Sequence, residues 1–214
     1  MGRVRQKTPA PDMAERLLDW YGRNRRDLPW RESSDPYRIW ISEVMLQQTQ
    51  VDTAIPFYLR FMKKFPDVET LARAPMQSVL KAWENMGYYA RARHLHEAAK
   101  TIMTRFGGRI PDTSDALLSL PGVGSYTAGA VLSMAFGQRV PAVDGNVRRV
   151  LCRVFSIRTP LEHNRTKLRL QKLAETLVPC ESPGSFNQAL MELGALLCRP
   201  RNPVCTLYPI RDLC

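Results

Sequence analysis

The chain has 214 residues, 44% of them hydrophobic, which is enough to bury one large core or two smaller ones without cross-links. It lacks the run of about 18 apolar residues that a membrane span needs, and its opening MGRVRQKTPAPD has basic residues without the apolar centre of a secretory signal, so a cytosolic or nuclear protein with no membrane contact is expected. Thirty-one Lys and Arg against 20 Asp and Glu leave a net charge of +11, which suits a polyanionic partner: nucleic acid first, with an acidic protein surface or anionic lipid also compatible. In a reducing compartment, five cysteines read as buried thiols or metal ligands rather than as disulfides.

Taken in chain order, residues 1–11 read as a flexible basic tail. Apolar residues at helical spacing then predict a helix over Met13–Asn24, with Leu17, Leu18, Trp20 and Tyr21 on one face, followed by the loop RRDLPWRESSD. Asp35 as N-cap and Pro36 at the first helical position start a second helix that runs through WISEVMLQQT. Further helices are expected over Val51–Lys64, Val68–Ala74, Met76–Glu84, Ala90–Arg105 and Ser114–Ser119, each followed by a Gly, Pro or polar breaker. After LPGVG come Tyr126–Phe136, rich in Ala and Gly, then Asn146–Phe155, Asn164–Leu177 and Ser185–Leu197. No segment alternates with the period of a strand, and the expected fold class is all-α.

The strongest local signal is Leu120-Pro121-Gly122-Val123-Gly124 between a short helix and a small-residue helix. Two glycines around one apolar residue allow a sharp hairpin, and the helix that follows offers backbone N–H groups and a positive dipole end to a phosphate. An ordinary interhelical turn would look the same; the net charge tilts the reading toward a helix-hairpin-helix on a DNA backbone. Two carboxylates stand out as well, Glu43 in IWISEVMLQQT and Asp144 between AV and GNV, each bounded by apolar or small residues. One could carry a raised pKa and protonate a leaving group while the other stays ionised and steadies a cation, the division that glycosidic cleavage requires. The plainer readings are a solvent-facing Glu43 and an Asp144 that caps the next helix. His94 and His96, two apart on a helix, make a poor metal pair and read as solvated or phosphate-facing. Met45, Met62, Met86, Met103 and Met134 read as core filler. Arg91, Arg93, Arg148 and Arg149 read as a basic DNA-facing surface, and Cys152 and Cys180 as buried structural thiols.

Five stretches in this order, SEVMLQQTQV, GYYARARHLH, LPGVGSYTAGA, VDGNVRRVL and FNQALMELGALLC, resemble the catalytic region of MutY-type adenine DNA glycosylases, in the helix-hairpin-helix superfamily that includes endonuclease III. The resemblance runs from about residue 10 to the end. It implies a two-lobed fold, with residues 12–30 and 140–214 forming one lobe and 31–139 a six-helix lobe that contains the hairpin at about 114–130. It also implies a monomer that removes adenine mispaired with 8-oxoguanine or guanine from double-stranded DNA. Glu43 would protonate the adenine and activate water, and Asp144 would stabilise the sugar cation. Tyr126 would lie against the sugar and help hold Asp144; a phenol there, in place of a Schiff-base lysine, implies base removal without strand cleavage. Gln48 and Tyr88 would wedge into the duplex beside the orphaned base; without the resemblance they read as a surface glutamine and a core tyrosine. Arg26, Leu28, Trp30 and Arg31 resemble the adenine pocket wall, Gln188 a residue near the flipped base, and Asn146, Gly122, Val123 and Gly124 DNA-contacting positions.

The sequence departs from that pattern twice. The family usually binds a [4Fe-4S] cluster through four cysteines spaced by six, two and five residues; here Cys198, Cys205 and Cys214 keep the spacing and Tyr208 holds the third position. The resemblance implies the cluster, while the phenol is a harder and weaker ligand than a thiolate. Family members also usually continue into a domain that reads 8-oxoguanine, whereas this sequence stops at Cys214, as a fragment or a short form would. Two alternatives stay open: a thymine or uracil mismatch glycosylase, and a catalytically silent DNA-binding protein.

Overall fold

The computed structural model describes residues 10–214, with side chains from Asp12 onward. Among the described residues the chain is all helical: α1 (Ala10–Asn24), α2 (Pro36–Leu46), α3 (Val51–Lys64), α4 (Val68–Arg73), α5 (Met76–Ala82), α6 (Ala90–Phe106), α7 (Ser114–Leu118), α8 (Ser125–Phe136), α9 (Gly145–Val154), α10 (Asn164–Leu177) and α11 (Pro183–Leu196). Three single 3-10 turns, Pro29–Arg31 between α1 and α2 and Cys205–Leu207 and Arg211–Leu213 after α11, are too short to show a hydrophobic period. Of the tail expected over 1–11, residues 1–9 lie outside the described residues, while Ala10 and Pro11 already belong to α1.

The described chain divides into two compact units, one made of the residues up to Arg26 with Gly137–Cys214, the other of Asp27–Phe136. In the second unit α2 is the central element. Asp35 caps it, its Oδ1 accepting from the Tyr37 N–H at 2.8 Å, and Pro36 occupies its first turn. Eight of its residues, Tyr37 and Ile39 through Met45, are buried, and it packs against α3, α6 and α8. An aromatic group completes this core, with Trp30 edge-on to Tyr58 at 5.4 Å and Phe61 edge-on to Trp83 at 5.9 Å. The expected continuation of α2 through Thr49 is not seen: the helix stops at Leu46 and Gln48 takes φ 57°. The cause lies outside the segment, because the Arg91 side chain accepts the role of C-cap for carbonyls that another helical turn would have used.

The hairpin between α7 and α8 turns at Gly122, where φ is +75°. A Cβ at that position would also come 2.7 Å from the His94 Cβ, so conformation and close packing both require glycine. Leu117, Leu120 and Val123 point inward and fix the turn. His96 is fully buried in α6, which corrects the solvated reading; burial holds its imidazole pKa below the ordinary value. Met45, Met62 and Met86 are core residues, and Met103 and Met134 are half-buried.

In the first unit, Met13, Leu17 and Tyr21 recur every fourth residue along α1 and bury against α11. Val147, Val150, Leu151 and Val154 of α9 and Phe186, Ala189, Leu190 and Leu193 of α11 make up most of the remaining core. α11 starts at Pro183, two residues before the expected Ser185, because proline takes the first helical position without losing a hydrogen bond. α9 and α11 approach closely at Gly194, where an added Cβ would lie 2.6 Å from Asn146 Cβ and 3.1 Å from its Cα. Backbone on the far side leaves no room to relax. Gly194→Ala is therefore expected to lower stability by about 1–3 kcal/mol, read as a drop in the urea midpoint without a change in slope; an unchanged midpoint would show that the two helices separate freely.

Candidate active site

Glu43 sits in the third turn of α2, where the apolar periodicity that buries its neighbours buries it too. It is 5% exposed, so the plainer solvent-facing reading does not hold. Its Oε2 accepts a hydrogen bond from the Tyr126 hydroxyl, which reaches it from the first turn of α8. The pair joins α2 to α8, the helix that follows the hairpin. A phenol O–H donated to one carboxyl oxygen orients both side chains while leaving the other oxygen out of that bond. Tyr126 thus directs its hydroxyl to Glu43.

Asp144 is the N-cap of α9, as its plainer reading predicted. Its Oδ1 accepts from the Val147 N–H at 2.7 Å and its Oδ2 from the Asn146 side-chain amide at 2.9 Å. Burial raises its pKa; the bonds from Val147 and Asn146 and the charge of Arg149 oppose the rise. Asn146 is held in turn by Arg149, whose Nη2 donates to Asn146 Oδ1 at 2.6 Å. Arg149 also donates to Gly194 O at 2.8 Å and Cys198 O at 2.7 Å, so it is an internal strut rather than the DNA-facing residue expected.

The remaining positions fall into three groups. Gln48 and Tyr88 are exposed, Tyr88 by 59%, and both adopt left-handed backbone at φ 57° and 50°. The core reading of Tyr88 is overturned. Gly122 and Gly124 are exposed at the hairpin and Val123 is buried beneath them. Leu28 and Trp30 are buried and Arg31 half-buried. Arg26 makes a two-pronged ion pair, its Nε and Nη2 each 2.9 Å from the carboxylate oxygens of Glu192. Gln188 accepts from the Tyr21 hydroxyl at 2.9 Å.

Sequence reasoning passed over Glu192, only 1% exposed. Its signal was present: a lone carboxylate in the apolar run ALMELGALL, the same pattern that marks Glu43. It also placed Arg91 on the surface, whereas Arg91 is half-buried and bound to backbone carbonyls of α2. No local pattern distinguishes such an arginine from its exposed neighbour Arg93.

The C-terminal loop brings Cys198, Tyr208 and Cys214 into one neighbourhood with Arg153, whose Nη1 lies 3.3 Å from Cys198 Sγ. Burial, then the adjoining Cys198, pushes the Tyr208 phenol far up, and burial with Cys198 and Cys205 nearby raises Cys214. A protonated phenol in the third position leaves a three-thiol set, which does not fit a four-thiolate cluster. Among the described residues no group of three or more His, Cys, Asp or Glu is arranged to hold a metal ion. Cys180, expected to be buried, is exposed.

A sequence profile described as HhH-GPD superfamily base excision DNA repair protein matches residues 41–177, which include Glu43, Tyr126, the hairpin and Asp144. The chain belongs to the HhH-GPD superfamily. Within it, the chain is 46% identical over 207 residues to an adenine DNA glycosylase of Homo sapiens, covering 92% of this chain and 38% of that protein. It is 42% identical to an adenine DNA glycosylase of Buchnera aphidicola, covering 92% and 56%. The chain thus spans between about a third and three fifths of the length of these curated HhH-GPD relatives. Among solved structures, a thermostable thymine-DNA glycosylase superposes with a TM-score of 0.86 at 35% identity, covering 95% of this chain and 94% of that one. An endonuclease III–DNA covalent intermediate superposes at 0.79 and 23% identity, covering 94% and 92%, which shows the shared fold. No described helix is long and apolar enough to cross a membrane.

If Tyr208 is what limits the donor set, Tyr208→Cys completes it. After anaerobic reconstitution with iron and sulfide, the variant should take up about four iron atoms per chain and the wild-type chain clearly less. Equal uptake, measured by iron and acid-labile sulfide, would show that three thiols suffice.

Proposed function

We propose that the protein is a monofunctional DNA glycosylase that hydrolyses the N-glycosidic bond of adenine mispaired with 8-oxoguanine or guanine in double-stranded DNA. The observation that carries this is the buried Glu43 carboxyl oriented by the Tyr126 phenol: an acid in an apolar helix, aimed by a rigid donor, suits proton delivery to a leaving base. The adenine DNA glycosylases at 46% and 42% identity supply the substrate.

In the proposed reaction Glu43 gives a proton to the adenine ring. The bond from the ring nitrogen to the sugar then breaks, its electrons leaving with the protonated base, and positive charge remains on the sugar. The Asp144 carboxylate, ionised and held by Val147 and Asn146, stabilises that charge. Water adds to the cation and its proton returns to the Glu43 carboxylate, leaving an abasic sugar. Tyr126 has no amine for a Schiff base, so the strand stays intact. No step runs through the cysteine loop. A second reading is carried by the thymine-DNA glycosylase at 35% identity: excision of thymine or uracil opposite guanine.

Single-turnover assays on duplexes with adenine opposite 8-oxoguanine, adenine opposite guanine, and thymine or uracil opposite guanine separate the two readings. Adenine release is expected; release of thymine alone would establish the second. Borohydride should trap no protein–DNA adduct. Glu43→Gln should lose about 10²–10⁴-fold in excision rate while still binding DNA, and unchanged turnover would remove Glu43 from the chemistry.

The pH dependence tests Asp144. It acts ionised, and its pKa is raised, so activity should fall with acid at a pH above the usual aspartate range. Asn146→Ala removes a bond that favours the ionised form. That substitution should move the acid limb to higher pH; a shift downward would contradict the assigned charge state.

A further inference from the structure

Gln48 and Tyr88 share an unusual backbone state. Left-handed φ at a residue other than glycine costs on the order of 1–3 kcal/mol and persists only where the surroundings over-determine it. Here two such residues, both exposed, stand at the tips of separate loops: Gln48 just beyond α2, and Tyr88 just before α6 in a segment where Asn85 and Gly87 are also left-handed. Both side chains are exposed at the tips, so the restraint comes from the loop bases and from what reaches them.

One side chain reaches both bases. The Nη1 of Arg91 donates to Val44 O at 3.1 Å, to Met45 O at 2.9 Å and to Gln47 O; its Nη2 donates to Thr49 Oγ1 at 3.1 Å and Gly87 O at 3.4 Å. The guanidinium carbon also lies 5.2 Å from the Tyr88 ring centre and 5.4 Å from that of Trp83, while Trp83 Nε1 donates to Gly87 O at 3.0 Å. The residues on each side of Gln48 are therefore tied to the same planar group that stacks on Tyr88. Arg91 Nε is buried without a hydrogen-bond partner, so the two Nη groups carry the hydrogen bonds. A lysine ammonium cannot reproduce that fork, because it offers three donors from one point and no plane to stack. Gln47 is braced further by its amide 3.3 Å from Thr127 Oγ1. One turn along α6 from Arg91, His94 packs under hairpin Gly122, so the base of both tips and the hairpin share one helix.

We propose that Arg91 is a positioning residue for base extrusion: it locks the Gln48 and Tyr88 tips together so that both enter the duplex as one preformed wedge. The proposal rests on the reading of those two residues as the wedge. Preorganisation lowers the cost of insertion, because the loops need not be ordered when DNA binds. Arg91 itself touches no reacting atom.

The consequence is specific to paired substrate. Extrusion is costly for a stacked, paired adenine and cheap for one already unpaired. Three variants, Arg91→Lys, Tyr88→Ala and Gln48→Ala, should be compared in single-turnover excision from two duplexes, one with adenine opposite 8-oxoguanine and one with adenine in a single-base bulge. Arg91→Lys should lose about 10-fold to 100-fold on the paired substrate, as loss of charge-assisted bonds would give, and much less on the bulge. A general folding defect would slow both equally, and that result would overturn the proposal. Thr49→Val, which removes a single acceptor of Arg91 in an otherwise intact loop, should show the same preference at smaller size and keeps the test available if Arg91→Lys folds poorly. If Tyr88→Ala and Gln48→Ala slow both duplexes alike, the wedge reading fails. If those two discriminate and Arg91→Lys and Thr49→Val do not, only the role of Arg91 fails.

Discussion

Burial of α2 on nearly every side is the constraint from which the second unit follows. The middle of a helix sunk among α3, α6 and α8 has little access to water, so its buried polar side chains must find partners in the protein, and the ends are capped as well. Asp35 serves the start, the Tyr126 phenol serves Glu43, and the Ser42 hydroxyl turns back to Ile39 O at 2.8 Å. Carbonyls at the far end go to Arg91.

The same logic explains why carboxylates of different character arise from similar local sequence. Glu43 and Glu192 are both buried in apolar helices, yet one meets a neutral phenol and the other a guanidinium. An ion pair holds Glu192 charged and spent on structure. A phenol orients the Glu43 carboxyl without bringing an opposite charge to it. Asp144 is a third case, a helix cap drawn far enough into the protein for burial to outweigh its hydrogen bonds.

In the C-terminal loop, anchoring is shared between Arg149 and Arg153 of α9, whose donors take the carbonyls of Cys198, Arg199 and Pro200. Tyr208 and Ile210 add to the apolar core of that unit. Backbone hydrogen bonds and burial thus hold the loop against α9 through interactions that involve no thiolate, and the phenol that breaks the four-cysteine pattern serves as core volume.

Much of this was legible in the sequence because it is local. The all-α class, Asp35 with Pro36, the LPGVG turn and the bounds of α3 and α10 depend on neighbours within a few residues, where periodicity and capping act. The isolation of Glu43 and Asp144 among apolar residues was equally visible. What could not be read were the long-range assignments: that Tyr126 goes to Glu43, that Arg26 answers Glu192, that His96 is buried, and that Arg91 ends α2 from 44 to 47 residues away. Arginine, glutamate and histidine have the same local signature whether solvated or buried, since their partners lie on other elements. The sequence by itself determined which segments are helical and which carboxylates stand alone. Only the tertiary structure decided which of those charges is paired, because pairing depends on distances that the folded chain alone creates.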